Sequence, residues 1–194
     1  MPRALILGVG NLLLSDEGVG VQVIQRLQER YRLPEDVQVL DGGTLGMDLL
    51  YYLEGVETLL IVDAVETAGP PGTLIRLAGN EVPAFLSVKL SPHQVGVPDM
   101  LFAARLKGIE PPDIVLWGVQ PGSLEVGLEL SPPVARQVDV LVERLADELA
   151  QRGIAPAALK IIGEDAEGAE NLRVSAISAP SVVRFSSAVA LAAT

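Results

Sequence analysis

Acidic residues and the chain's only histidine fall where apolar runs give way to turns. Glu17 follows Leu5-Ile6-Leu7-Gly8-Val9-Gly10, Asp63 closes Leu59-Leu60-Ile61-Val62, and His93 stands in Ser91-Pro92-His93-Gln94. Two carboxylates and one imidazole supply two hard oxygen donors and one nitrogen. That mixture suits a borderline divalent cation such as nickel or zinc and leaves a position for water or substrate. Asp41, in Asp41-Gly42-Gly43-Thr44, repeats the pattern of an acid ending a strand. It reads as a turn residue, as a base that activates water, or as an acceptor that orients a ligand. Asp16, beside Glu17, is a further candidate to assist water, although acids in a helix's first turn also arise because they complement its dipole.

The elements that must position these groups follow from the spacing of apolar residues. Leu5–Leu7 reads as a buried first strand, with Gly8 and Gly10 as a tight exit and Ser15 as the cap of a helix over 16–31. Val19, Val23, Leu27 and Tyr31 give that helix one apolar stripe. Val37–Asp41 is a second strand, and Thr44 caps a third element with Leu45, Leu49 and Leu53 on one face, ended by Gly55. Thr58–Val65 is the clearest strand. Asp63 interrupts it, and burying even an uncharged polar group without a partner costs on the order of 2–7 kcal/mol. Thr73–Leu77 alternates with Arg76 exposed, which fits a peripheral strand, and residues 79–93 form a long connection. Pro98 starts a helix that runs to Gly108. Ile114–Val119 is another buried strand, and Ser131-Pro132 opens a helix with Val134, Val138, Leu141, Val142, Leu145 and Leu149 on one face and Gly153 beyond its end.

Strand and helix therefore alternate, which predicts an α/β fold: three αβα layers around a doubly wound, mostly parallel sheet of roughly five strands. In such a sheet, ligands bind beyond the carboxyl ends of the strands, where Glu17, Asp41, Asp63 and His93 are expected. One domain spans 1–153. Residues 154–194, rich in Ala, Ser and Gly, read as a C-terminal extension, with Val174–Val189 apolar enough for a further strand or short helix or else a frayed tail.

Composition narrows the classes further. Hydrophobic residues make up 49% and aromatics only 4%, which suits a parallel sheet covered by helices. The chain has no cysteine, so thiolate metal sites and a thiol protease are excluded and the cytoplasm is the expected compartment. No apolar run approaches the ~20 residues of a membrane span, and no targeting segment is expected. A net charge of −11 opposes binding to nucleic acid and favours a basic or metal-loaded partner. Gly8-Val9-Gly10 is a weak phosphate signal, since Leu13 occupies the third glycine's place in the dinucleotide pattern and no Gly-Lys-Ser/Thr follows. A Ser–His pair would need Ser87 or Ser91 to meet His93 without a nucleophile elbow.

Taken jointly, Gly8-Val9-Gly10-Asn11-Leu12-Leu13-Leu14-Ser15-Asp16-Glu17-Gly18-Val19-Gly20, Asp41-Gly42-Gly43-Thr44, Ile61-Val62-Asp63-Ala64, Ser91-Pro92-His93-Gln94 and Gly118-Val119-Gln120-Pro121 resemble the motifs of the nickel-iron hydrogenase maturation proteases. The resemblance covers residues 3–153 and implies an endopeptidase that removes the C-terminal extension of the hydrogenase large-subunit precursor after nickel insertion. It implies Glu17, Asp63 and His93 as metal-contacting positions, with nickel carried by the substrate as a recognition element and other divalent cations able to substitute. Many family members carry Asp where this chain has Glu17. Asp16 or Asp41 then assists water, and the protein acts as a monomer. A non-enzymatic nickel-binding chaperone on the same scaffold is the competing reading.

Overall fold

The computed structural model describes residues 2–87 and 96–159. The expected elements around His93 and over Val174–Val189 lie outside the described residues. Strands β1 (Ala4–Val9), β2 (Tyr31–Arg32), β3 (Val37–Gly43), β4 (Thr58–Ala64), β5 (Leu74–Ala78), β6 (Asp113–Val119) and β7 (Ala157–Ala158) alternate with helices α1 (Val19–Arg30), α2 (Glu81–Ser87), α3 (Val97–Lys107) and α4 (Pro132–Gln151). Short 3-10 helices span Ser15–Gly18 and Gly46–Tyr52.

Among the described residues, a five-stranded sheet has the order β3-β1-β4-β6-β5. All neighbours pair parallel except β5, which runs antiparallel to β6 at one edge. Successive side chains of a strand point to opposite faces, and the two cores divide accordingly. Leu5, Leu7, Leu59, Ile61, Ile114 and Leu116 face the layer that contains α3. Ala4, Ile6, Leu60, Val62 and Val115 face the layer of α1 and α4, where Val19, Val23, Leu27, Leu141, Val142 and Leu145 are buried. The three-layer, doubly wound architecture expected from the alternation of elements is the observed one.

The order places the site. From β1 the chain passes through α1 on one face, whereas from β4 it passes by way of the edge strand β5 to α2 and α3 on the other, before β6. Adjacent strands whose connections leave by opposite faces open a crevice at their carboxyl ends. Here that crevice lies between β1 and β4, the strands that lead to Glu17 and carry Asp63.

Several local expectations are corrected. Ser15 does not cap α1: it has φ +48° and donates its hydroxyl to the Glu125 carbonyl at 3.0 Å, so Asp16 and Glu17 occupy a 3-10 turn and the α-helix begins at Val19. Thr44 is likewise no cap; Leu45 precedes a 3-10 helix that lacks a side-chain cap. Within the supposed connection 79–93 lies α2. Beyond 153, Ile154 is buried and Ala157–Ala158 pair with Tyr31–Arg32. No helix among the described residues is long and apolar enough to cross a membrane.

Candidate active site

Glycines set the position of Glu17 by letting backbone meet backbone. A Cβ on Gly10, which has φ +129°, would lie 1.7 Å from the Glu17 carbonyl oxygen. The turn carrying Glu17 therefore folds directly against the exit of β1. One turn later, a Cβ on Gly20 would lie 2.2 Å from the Val62 carbonyl oxygen and 2.4 Å from that of Val9. The start of α1 thus sits in the groove between β1 and β4. These glycines serve close packing, the use that only the smallest residue allows, and the space a phosphate would need is filled by backbone.

Asp16 is fully buried, and its carboxylate is a staple. Oδ2 accepts from the Gly122 N–H at 2.7 Å, the Ser123 N–H at 2.9 Å and the Ser131 hydroxyl at 2.7 Å, while Oδ1 accepts from the Ser131 N–H at 2.6 Å. Burial pushes its carboxyl pKa up, but the donors from Ser131, Gly122 and Ser123 together outweigh that and hold it below the ordinary carboxylate value. Neither oxygen faces solvent, so the water-assisting role considered for Asp16 has no access where it sits. The staple ties the Ser15–Gly18 turn to the loop between β6 and α4. The same two segments are joined by Ser15 N–H to Gly127 carbonyl at 2.9 Å and Asp16 N–H to Ser123 carbonyl at 3.1 Å.

Glu17 and Asp63 are both half-buried at the crevice. Asp63 pairs in register with Gly118 of β6. The loop after it is pinned by Gln120, whose Oε1 accepts from the Thr67 N–H at 2.5 Å and the Thr67 hydroxyl at 3.1 Å. Asp41 lies two residues before the end of β3, on the other side of β1, and pairs in register with Gly8. Its Oδ1 accepts from the Gly43 N–H at 3.0 Å, and the Gly43 carbonyl accepts from the Gly10 N–H at 3.0 Å, so Asp41 braces the turn against which Gly10 is held. His93 lies outside the described residues, in the segment that leads into α3. Among the described residues no three acidic or histidine side chains form a metal-holding group.

The profile of the hydrogenase maturation protease family (HycI) matches residues 21–148. The chain belongs to that family. The protease is 43% identical over 153 residues to the hydrogenase 2 maturation protease of Escherichia coli (strain K12), a match covering 78% of this chain and 93% of the relative. It is 44% identical over 154 residues to the hydrogenase expression/formation protein HupD of Rhodobacter capsulatus, over 78% of this chain and 73% of the relative. Among solved structures, the hydrogenase maturating endopeptidase HybD from E. coli superposes with a TM-score of 0.77 at 41% identity, covering 80% of this chain and 97% of that one. HybD from Thermococcus kodakarensis superposes with a TM-score of 0.61 at 30% identity, covering 76% and 99%. The protease is thus an endopeptidase with the fold of its relatives.

The residues that sequence reasoning missed are Gly122, Ser123 and Ser131, the donors to Asp16. Ser131 was expected only at the start of a helix, and it does occupy the N-cap position of α4, but its hydroxyl is turned to Asp16. No short-range spacing signals a bond between positions 115 residues apart. Gln120, in Gly118-Val119-Gln120-Pro121, carries no local signal for the bonds it accepts from Thr67.

Proposed function

We propose that the protease removes a C-terminal extension from the precursor of a nickel-iron hydrogenase large subunit once nickel has been inserted, acting as a monomer in the cytoplasm. One observation carries the reading: in a chain of this family, the topology sets Glu17 and Asp63 at the carboxyl ends of adjacent strands, in the crevice where an α/β sheet binds its ligand. Glu17, Asp63 and His93 are the residues that contact the metal. Nickel arrives on the precursor, already holding ligands of its own, so an incomplete set of two carboxylates and one imidazole matches the task. Such a set binds a loaded precursor and releases an empty one. Other divalent cations are expected to compete for the same oxygens and nitrogen.

Bound there, the cation would mark the precursor as loaded and hold its terminus in the crevice. Asp41 is the carboxylate we assign to water. Unlike Asp16 it is half-buried, and its turn adjoins the one that carries Glu17. A carboxylate in that position can take a proton from water as the water attacks the scissile carbonyl and return it to the leaving amine.

Purified protease is mixed with nickel-loaded precursor and, separately, with nickel-free precursor, and the products are weighed by mass spectrometry. Loss of the extension from the loaded form alone is expected. Cleavage of neither form defeats the proposal, and a stable complex with no change in mass would support the chaperone reading instead.

A further inference from the structure

Leu13, Leu124, Val126 and Leu128 stand 62%, 54%, 88% and 68% exposed. They are carried by two segments locked backbone to backbone. The Gly127 N–H donates to the Leu13 carbonyl at 2.9 Å, Leu14 and Gly127 form a bridge, and the Asp16 staple closes the far side. Large apolar side chains held outward by so firm a backbone are not loop ends awaiting collapse. Grouped exposed apolar surface on a folded protein marks contact with a partner.

Three features say which partner. The patch begins at Leu13, in the segment that carries Glu17: the Glu17 N–H donates to the carbonyl of the adjacent Leu14 at 3.1 Å. Leu128 continues it into a groove of about 480 Å³ beside Leu12 and Val138. The surroundings are acidic: Glu125 and Glu129 are exposed, and neither 4–21 nor 120–131 contains a lysine or arginine. The groove's one arginine, Arg26, is engaged by Glu29 and Asp139. We propose that this patch seats the polypeptide substrate of the processing reaction, through a segment that carries apolar side chains beside lysine or arginine. The inference rests on the function proposed above. Because the two segments are already fixed, docking there costs little ordering entropy on the protease's side.

The test uses the full-length chain carrying Leu13→Ser, Val126→Ser and Leu128→Ser together, with purified nickel-loaded precursor as the probe. These side chains are mostly in water, so the melting temperature should stay close to that of the wild type. The dissociation constant should rise at least ~10-fold, as loss of an apolar anchor cluster does. A second variant, Glu125→Lys with Glu129→Lys, should weaken binding at low salt and less so at high salt. An unchanged dissociation constant for the triple variant overturns the docking inference. So does sedimentation of the wild type as a dimer that the triple variant converts to monomer, since the patch would then cover itself. Cleavage followed in parallel separates the two claims. Patch-dependent binding without cleavage sinks the processing reading alone, and wild-type binding and cleavage by the triple variant sink the docking inference alone.

Discussion

Asp16 and Ser131 are 115 positions apart and are joined twice: the Ser131 N–H and hydroxyl both donate to the Asp16 carboxylate, at 2.6 and 2.7 Å. This pair closes the loop before α4 onto the turn that presents Glu17. The acid beside Glu17 therefore builds the candidate site without facing its crevice.

Asp16→Asn replaces one acceptor oxygen by an NH2 that confronts N–H donors in a buried place. The expected cost is about 2–4 kcal/mol of folding stability, since charge-assisted bonds are lost and donors are stranded. Chemical denaturation of the two proteins measures it. A variant as stable as the wild type would contradict the staple.

The same carboxylate makes stability depend on pH. Asp16, Asp113 and Glu148 all have carboxyl pKa values lowered in the folded protein. Asp113 is lowered by its hydrogen bond from Arg152; for Glu148, burial acts upward but the hydrogen bonds from Arg76 and Arg152 outweigh it. A group whose folded pKa is depressed contributes stability that is present above its unfolded pKa and lost as pH falls through the folded one. Unfolding free energy should thus decline on acidification below about pH 5, where unfolded carboxyls begin to take up protons. Asp16→Asn should make that decline shallower, which denaturation series at successive pH values will show.

Glu17→Asp should keep processing within about tenfold of the wild type, because a shorter carboxylate still presents a metal-binding oxygen. Glu17→Gln, Asp63→Asn and His93→Gln should each abolish it while leaving the melting temperature nearly unchanged. Retained cleavage accompanied by a large stability loss would mark these residues as structural.

Gly10→Ala tests the packing that aims Glu17. Its methyl would overlap the Glu17 carbonyl at 1.7 Å, whereas Gly79→Ala, at φ +53° with nothing within 4 Å, meets only backbone strain. Gly79→Ala should cost about 1 kcal/mol, the usual penalty of a left-handed non-glycine residue. Gly10→Ala should cost clearly more and abolish processing. Equal stabilities for the two variants would show that the turn can shift without consequence.

Away from the crevice, Glu148 is buried and holds Arg76 through two hydrogen bonds at 2.6 and 3.2 Å and Arg152 through one at 2.6 Å. Glu148→Ala leaves Arg152 without that partner in a poorly solvated place and should destabilise the fold by roughly 3 kcal/mol. Processing below the new melting temperature should be unaltered, which distinguishes this network from the Asp16 staple.

Sequence alone determined the five strands of the central sheet, the long helices and the three-layer class, because those follow from apolar periodicity that every residue of an element repeats; the short pair Tyr31–Arg32 and Ala157–Ala158 it did not show. Val134 through Leu149 predict α4, and the apolar run Leu59–Val62 predicts β4 as a buried strand. It also determined the glycines and acids at the strand ends and, through five motifs together, the family. What the chain order could not give was the task of each acid. Asp16 and Glu17 are neighbours with the same chemistry, and the difference between them is made by a loop more than a hundred residues downstream. Only the tertiary structure brings Gly122, Ser123 and Ser131 to one of them and leaves the other at the crevice. Ser15 and Thr44 show the same limit: local rules make both helix caps, but the Ser15 hydroxyl is turned to the Glu125 carbonyl and Thr44 precedes a 3-10 helix that has no side-chain cap. Local periodicity sums over many residues and survives such contacts, whereas a single side chain's role depends on the few groups that folding carries to it.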